Sequence, residues 1–122
     1  MEQAVALIGK AIALRPDAAE AYNSLGSMLR KLGRIDAALV SYARAIALQP
    51  DHADAHYNHG NALRNLGRSC EALPSYDRAI ALRPDFAEAH YNRGNALRDL
   101  QCREDALSSY ATACLLYTSR CV

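Results

Sequence analysis

An all-α solenoid of tandem helix-turn-helix units is the fold the sequence predicts, and three evenly spaced columns of residues predict it. Pro16, Pro50 and Pro84 recur every 34 residues, as do Gly26, Gly60 and Gly94, and likewise Tyr42, Tyr76 and Tyr110. A period of that length fits a unit of two helices and two turns. Such a unit buries its apolar faces only against the next copy, so chain length here counts repeats. The 122 residues hold three copies and a leading half, near the minimum of about three that such an array needs.

Residues 1–16 are expected to be the second helix of a truncated repeat. Ala4, Ile8, Ala11, Ile12 and Leu14 stand in register with Ala38, Tyr42, Ala45, Ile46 and Leu48, and Met1 falls in register with Ile35. A first helix encoded upstream of an internal Met1 is therefore expected. Full repeats follow over 17–50 and 51–84, and an incomplete one over 85–113. Each opens on Pro-Asp, which puts Asp17, Asp51 or Asp85 where an N-cap is wanted, with Glu20, Asp54 or Glu88 three residues later as a capping box prefers.

The first helix of the first full repeat is expected from about Ala18 to Leu32, with Gly33 as a left-handed cap. Gly67 repeats that stop, whereas Gln101 is a weaker one. The second helix carries Ala38, Leu39, Tyr42, Ala45 and Ile46 on one apolar face. Gly26, Gly60 and Gly94 fall in mid-helix, where Gly costs about 1 kcal/mol against Ala, so a bulky neighbour is expected to occupy that space. Pro74 is out of pattern, because its equivalents are Val40 and Ser108 and an interior proline removes a helical hydrogen bond.

The first copy reads Tyr22, Leu25-Gly26, Leu29, Ala38, Tyr42 and Pro50, and the later copies keep Gly60, Leu63, Ala72, Tyr76 and Pro84, then Gly94, Leu97, Ala106 and Tyr110. In period and pattern this resembles the tetratricopeptide repeat (TPR) over nearly the whole chain. The resemblance implies a right-handed superhelix whose concave groove is lined by the first helices. Two columns depart from it: His56 and His90 stand at an aromatic position and are expected to fill that slot, and His59 and Arg93 replace Leu25.

Composition narrows the function classes. A net charge of +1 with 22% charged residues indicates neither a nucleic-acid binder nor an acidic tail. No apolar run approaches the roughly 20 residues of a membrane span, and no signal core follows the N-terminus, so a soluble, cytoplasmic protein is expected. Cys70, Cys102, Cys114 and Cys121 form no C-x-x-C pair, and His56 and His59 lack a second facing pair, so neither a metal nor a cofactor is expected. One codon choice for Cys114 to Val122 resembles a transposon mosaic end from sequencing-library adapters. Residues 114–122 are accordingly expected to be adapter read-through, leaving Cys70 and Cys102 as native cysteines.

No catalytic constellation is present, and the informative columns are polar. Asp54, Asn58, Asn61 and Asn65 form one helical stripe, repeated as Glu88, Asn92, Asn95 and Asp99. Asn23, Arg30, Tyr57, Asn58, Asn61, Arg64, Tyr91, Asn92, Asn95 and Arg98 are the expected peptide-binding groove. Asn both donates to and accepts from a peptide backbone, and Arg pairs with carboxylates. As exposed groove residues, Asn58 and Asn92 are expected to contribute little to packing.

By resemblance, TPR clamps for the acidic C-termini of heat-shock chaperones lead with Lys. Here Asn23, Tyr57 and Tyr91 stand in its place and Glu20, Asp54 and Glu88 add negative charge, which argues against that ligand. The phrasing "His-Tyr-Asn-x-Gly-Asn-Ala-Leu-Arg" is similar to bacterial arrays that precede glycosyltransferases like O-linked N-acetylglucosamine transferase, where an Asn ladder holds the substrate polypeptide. Asn58 and Asn92 match that ladder and Ser24 breaks it. The expected function is thus a non-enzymatic protein-interaction module that binds an extended or helical segment. Two alternatives remain open: the substrate-recognition arm of such a glycosyltransferase, and self-association through exposed repeat ends.

Overall fold

The computed structural model describes residues 19–101 and 103–120, and these form six helices and no strand. They are α1 (Ala19–Lys31), α2 (Ile35–Leu48), α3 (Ala53–Asn65), α4 (Ser69–Leu82), α5 (Ala87–Asp99) and α6 (Arg103–Arg120). The half-repeat expected over 1–16, together with Cys102, Cys121 and Val122, lies outside the described residues. The pairs α1–α2, α3–α4 and α5–α6 are hairpins, and each second helix packs on the first helix of the next pair. The first helices also touch one another directly, α1 against α3 and α3 against α5. This is the helical solenoid that the period predicts.

The hairpin turns are built alike. Gly33 and Gly67 adopt φ of +82° and +76°. The amide of Gly33 donates to the Arg30 carbonyl and that of Arg34 to the Leu29 carbonyl, at 3.0 and 2.9 Å. Gly67 and Arg68 repeat both bonds to Arg64 and Leu63. This double closure is the Schellman motif, which needs one left-handed residue. Gln101 takes that conformation at φ 64° and donates to the Arg98 carbonyl, so the third copy makes the first of the two bonds without a glycine.

The helix starts differ from expectation by one residue. His52, not Asp51, is the N-cap of α3, and its Nδ1 accepts from the Ala55 amide at 3.2 Å. Phe86, not Asp85, is the N-cap of α5, with no side-chain cap bond. The Pro-Asp pairs are used one step earlier, as the middle of tight turns closed by His52 N–H to Gln49 O and Phe86 N–H to Arg83 O, both 3.0 Å. Proline suits the second position of such a turn because its φ is already set.

His56 and His90 also depart from expectation. Each is half-buried and hydrogen-bonds through Nε2 to a carbonyl of the preceding turn, Pro50 O at 2.9 Å and Pro84 O at 3.1 Å. They fasten the inter-repeat turn to the first helix and do not fill an aromatic core slot. Pro74 sits inside α4 on its exposed side. The Cys70 carbonyl, deprived of its usual helical donor, therefore belongs to the solvent side of the helix.

The core alternates small and large residues. Ala38, Ala45, Ala72 and Ala79 are fully buried, as are Tyr42 and Tyr76. Each tyrosine ring lies against a first-helix glycine. A Cβ built on Gly26 would stand 2.6 Å from Tyr42 Cε1, on Gly60 2.9 Å from Tyr76 Cε1, and on Gly94 2.7 Å from Tyr110 Cε1. The mid-helix glycines are seats for tyrosine rings.

Gly26→Ala and Gly60→Ala are expected to destabilise the array, because about 1–3 kcal/mol of overpacking exceeds the helix-propensity gain of about 1 kcal/mol. The tighter seat makes Gly26→Ala the worse of the two. Urea unfolding followed by circular dichroism measures both, and a variant as stable as the parent would show that the rings have room to shift.

Candidate functional site

The first helices carry a hydrogen-bonded polar lattice rather than a row of free side chains. Within each repeat the tyrosine that rests on the glycine sends its hydroxyl to the residue that follows that glycine. Tyr42 OH meets Ser27 Oγ at 3.0 Å, Tyr76 OH donates to Asn61 Oδ1 at 2.6 Å, and Tyr110 OH donates to Asn95 Oδ1. Burial pushes the Tyr76 hydroxyl up to about 12, against the opposing pull of the nearby Arg64 guanidinium, so this donor keeps its proton throughout the physiological range.

Between repeats the bonds run from one first helix to the next. Asn58 Nδ2 donates to Asn23 Oδ1 at 3.0 Å. Asn92 Nδ2 donates to Tyr57 OH at 2.8 Å and to Asn61 Oδ1 at 3.1 Å, while Asn92 Oδ1 accepts from Asn95 Nδ2 at 3.1 Å. Arg30 Nη1 donates to Asn65 Oδ1 and Arg64 Nε to Asp99 Oδ2, each at 3.2 Å. These bonds join Asn23 to Asn58 and bring Tyr57, Asn61, Asn92 and Asn95 together, while Arg30 and Arg64 pair with Asn65 and Asp99.

Accessibility within the expected groove is uneven. Asn23 and Asn95 are buried, whereas Arg30, Tyr57, Asn58, Asn61, Arg64 and Asn92 are half-buried. Tyr57 stacks between Phe86 and Tyr76, with centroids 4.7 and 6.1 Å away. Tyr91 is exposed and meets the Tyr110 ring at 5.4 Å, and Arg98 is exposed near the end of α5. The expectation that Asn58 and Asn92 contribute little to packing is corrected by these contacts, since both amides bridge neighbouring repeats.

The sequence reading missed four further pairs. His52 Nε2 lies 2.7 Å from Glu20 Oε2 across a repeat boundary. His59 Nδ1 lies 3.0 Å from Ser75 Oγ. Arg93 holds Asp77 Oδ1 at 2.6 Å and Ser109 Oγ at 2.9 Å, beside a cavity of about 260 Å³ that His90 and Thr112 also line. The repeating serine column Ser41, Ser75 and Ser109 was the available signal for the two pairs that end on serine. Burial, then the charges of His56 and Arg68, hold the His59 imidazole below its usual range. Among the described residues no group of His, Cys, Asp and Glu could hold a metal ion, and no helix is long and apolar enough to cross a membrane.

Comparison with known proteins agrees with this architecture. The family model described as TPR repeat matches residues 26–67 and 60–101. No curated protein sequence matches at a significant level. A crystal structure of MamA superposes with a TM-score of 0.93 at 28% identity, covering 98% of this chain and 70% of that one. A second MamA crystal structure gives 0.90 at 28% identity, covering 98% and 66%, and MamA MSR-1 gives 0.85 at 25% identity, covering 98% and 68%. The chain thus spans about two thirds of the length of these structures.

Two outcomes follow from the lattice. Asn92→Ala removes three hydrogen bonds, to half-buried Tyr57 and Asn61 and to buried Asn95, and is expected to cost about 2–3 kcal/mol, whereas Asn58→Ala removes one and costs about 1 kcal/mol. Urea unfolding ranks them, and equal losses would show that the cross-repeat bonds carry little. Because the folded state disfavours protonated His59, the unfolded chain takes up that proton first as pH falls. Stability contributed above pH ~6.5 is therefore lost below it. His59→Leu, which copies Leu25, is expected to flatten the acid limb of melting temperature against pH, and an unchanged limb would assign the loss to other groups.

Proposed function

The chain belongs to the tetratricopeptide repeat family, and from that premise we propose that it captures an extended segment of another protein along the lattice face of α1, α3 and α5. The family fold is a protein-interaction scaffold. The observation that carries the finer reading is the cross-repeat register of the lattice, which holds polar groups at repeating positions before any ligand arrives. Preorganised groups of this kind lower the ordering cost of binding.

Spare hydrogen-bonding capacity in the lattice supports particular residues for this binding. Asn58 uses one N–H on Asn23, so its other N–H and its Oδ1 remain for a peptide backbone. Tyr57 accepts from Asn92 and retains its own O–H to donate. Asn92 commits its amide to Tyr57, Asn61 and Asn95 and serves as a brace for Tyr57. Exposed Tyr91 and Arg98 extend the same face toward the third repeat.

The second reading, a substrate-recognition arm for a glycosyltransferase, would use the same face. It needs successive Asn residues free to grip a polypeptide. Ser24 interrupts that ladder and Asn92 is committed elsewhere, so the plain interaction module is the better-supported reading.

Peptides selected from a random display library against the whole chain, then titrated into isotope-labelled protein, test the proposal. Amide shifts are expected to cluster on α1 and α3 around Asn23, Tyr57, Asn58 and Arg64. Shifts confined to the outer faces of α2 and α4, or failure to select any peptide, would overturn it.

A further inference from the structure

We infer that the cleft between the first two repeats is a subsite for a carboxylate of the bound segment, an inference that rests on the peptide-binding reading above. Two equivalent junctions in the same chain differ in their acid. At the junction of α3 with α5, Arg64 Nε holds Asp99 Oδ2 at 3.2 Å, and Ser69 Oγ donates to the same oxygen at 3.0 Å. That junction contains its own carboxylate.

At the junction of α1 with α3 the acid is missing. Asn65 stands where Asp99 stands one repeat later, Ile35 where Ser69 stands, and Lys31 where Asn65 stands. Arg30 reaches only the neutral Asn65 Oδ1, through Nη1 at 3.2 Å. Its Nε is buried and has no hydrogen-bond partner among the described residues. The orphaned atom is thus the counterpart of the one that Asp99 satisfies on Arg64.

Beside it opens a cleft of about 400 Å³ lined by Arg30, Lys31, Ile35 and Asn65, two cations with no acid among them. A carboxylate there would take on Arg30 Nε the place that Asp99 takes on Arg64. Lys31 would supply a second charge, and the Asn65 amide, turned about, an N–H donor. The Ile35 side chain would line the apolar wall. Arg64 cannot serve in this way, because Asp99 already neutralises it.

A fluorescent, C-terminally amidated peptide of alternating Gly and Glu, its Gln counterpart, and an all-Gly peptide with a free C-terminus are the probes, titrated by anisotropy into the whole chain. Binding by the Glu peptide or by the free terminus supports the inference and tells side-chain from terminal carboxylate. Asn65→Asp, which installs the acid of the second junction, is expected to weaken that binding about tenfold while melting is kept or raised. Asp99→Asn is expected to strengthen it by uncovering Arg64, so the inference does not hang on one variant.

The subsite is overturned if Asn65→Asp binds the acidic peptide as well as the parent does, or if the Gln peptide binds equally. Library-selected peptides separate the two levels of failure. If these bind and are indifferent to Asn65→Asp, the subsite falls and the peptide-binding reading stands. If no peptide binds at all, the reading itself falls.

Discussion

The seating of one tyrosine ring against one glycine is the contact on which the rest of this array depends. Tyr42, Tyr76 and Tyr110 come within 3 Å of where a Cβ on Gly26, Gly60 or Gly94 would lie, so the two helices of each hairpin meet at a distance that only glycine permits. The glycine costs about 1 kcal/mol of helix propensity, and burying the ring offsets it with a contribution of about 2–3 kcal/mol. The same contact sets the polar surface. A ring in that position delivers its hydroxyl to Ser27, Asn61 or Asn95 on the residue after the glycine, and the Asn92 bridge is built on Asn61 and Asn95.

Core and surface are therefore coupled. A residue on the first-helix face has two competing uses, tying its repeat to the next or offering hydrogen bonds to a ligand, and the side-chain inventory limits how far one group serves both. Asn92 is spent on the first use, whereas Asn58 gives it a single N–H. Stiffness gained by the lattice lowers the ordering cost of binding, but it leaves fewer groups to bind with.

Much of the architecture was legible because it rests on short-range rules applied at a fixed period. Helix number, the glycine stops and the ring seats all follow from residues within one repeat. The misreadings arose where a residue had two local uses. Pro50-Asp51 reads as a helix start, yet the pair forms the preceding turn and hands the cap to His52. His56 reads as an aromatic substitute, yet its nitrogen finds a carbonyl six residues back. The candidate site was legible as a stripe but not as a lattice. Helical periodicity shows that Asn58 and Asn92 share a face, and it cannot show that Asn58 meets Asn23 and Asn92 meets Tyr57 in the neighbouring repeat.

Differences among the repeats carry information that their shared columns do not. The Gly and Tyr columns are the same in all three described hairpins, and each hairpin uses the same seat. The column Leu25, His59 and Arg93 is not, and each member changes what lies opposite: Leu25 joins an apolar cluster, His59 reaches Ser75, and Arg93 bridges Asp77 and Ser109. The column Lys31, Asn65 and Asp99 runs from cation through neutral amide to anion, so successive junctions differ in charge. An array with identical junctions would bind a repetitive ligand in any register. A charge that changes from one junction to the next would give a segment bound as proposed a single favourable register, because an acidic residue placed against Arg30 could not be shifted by one repeat without meeting Asp99.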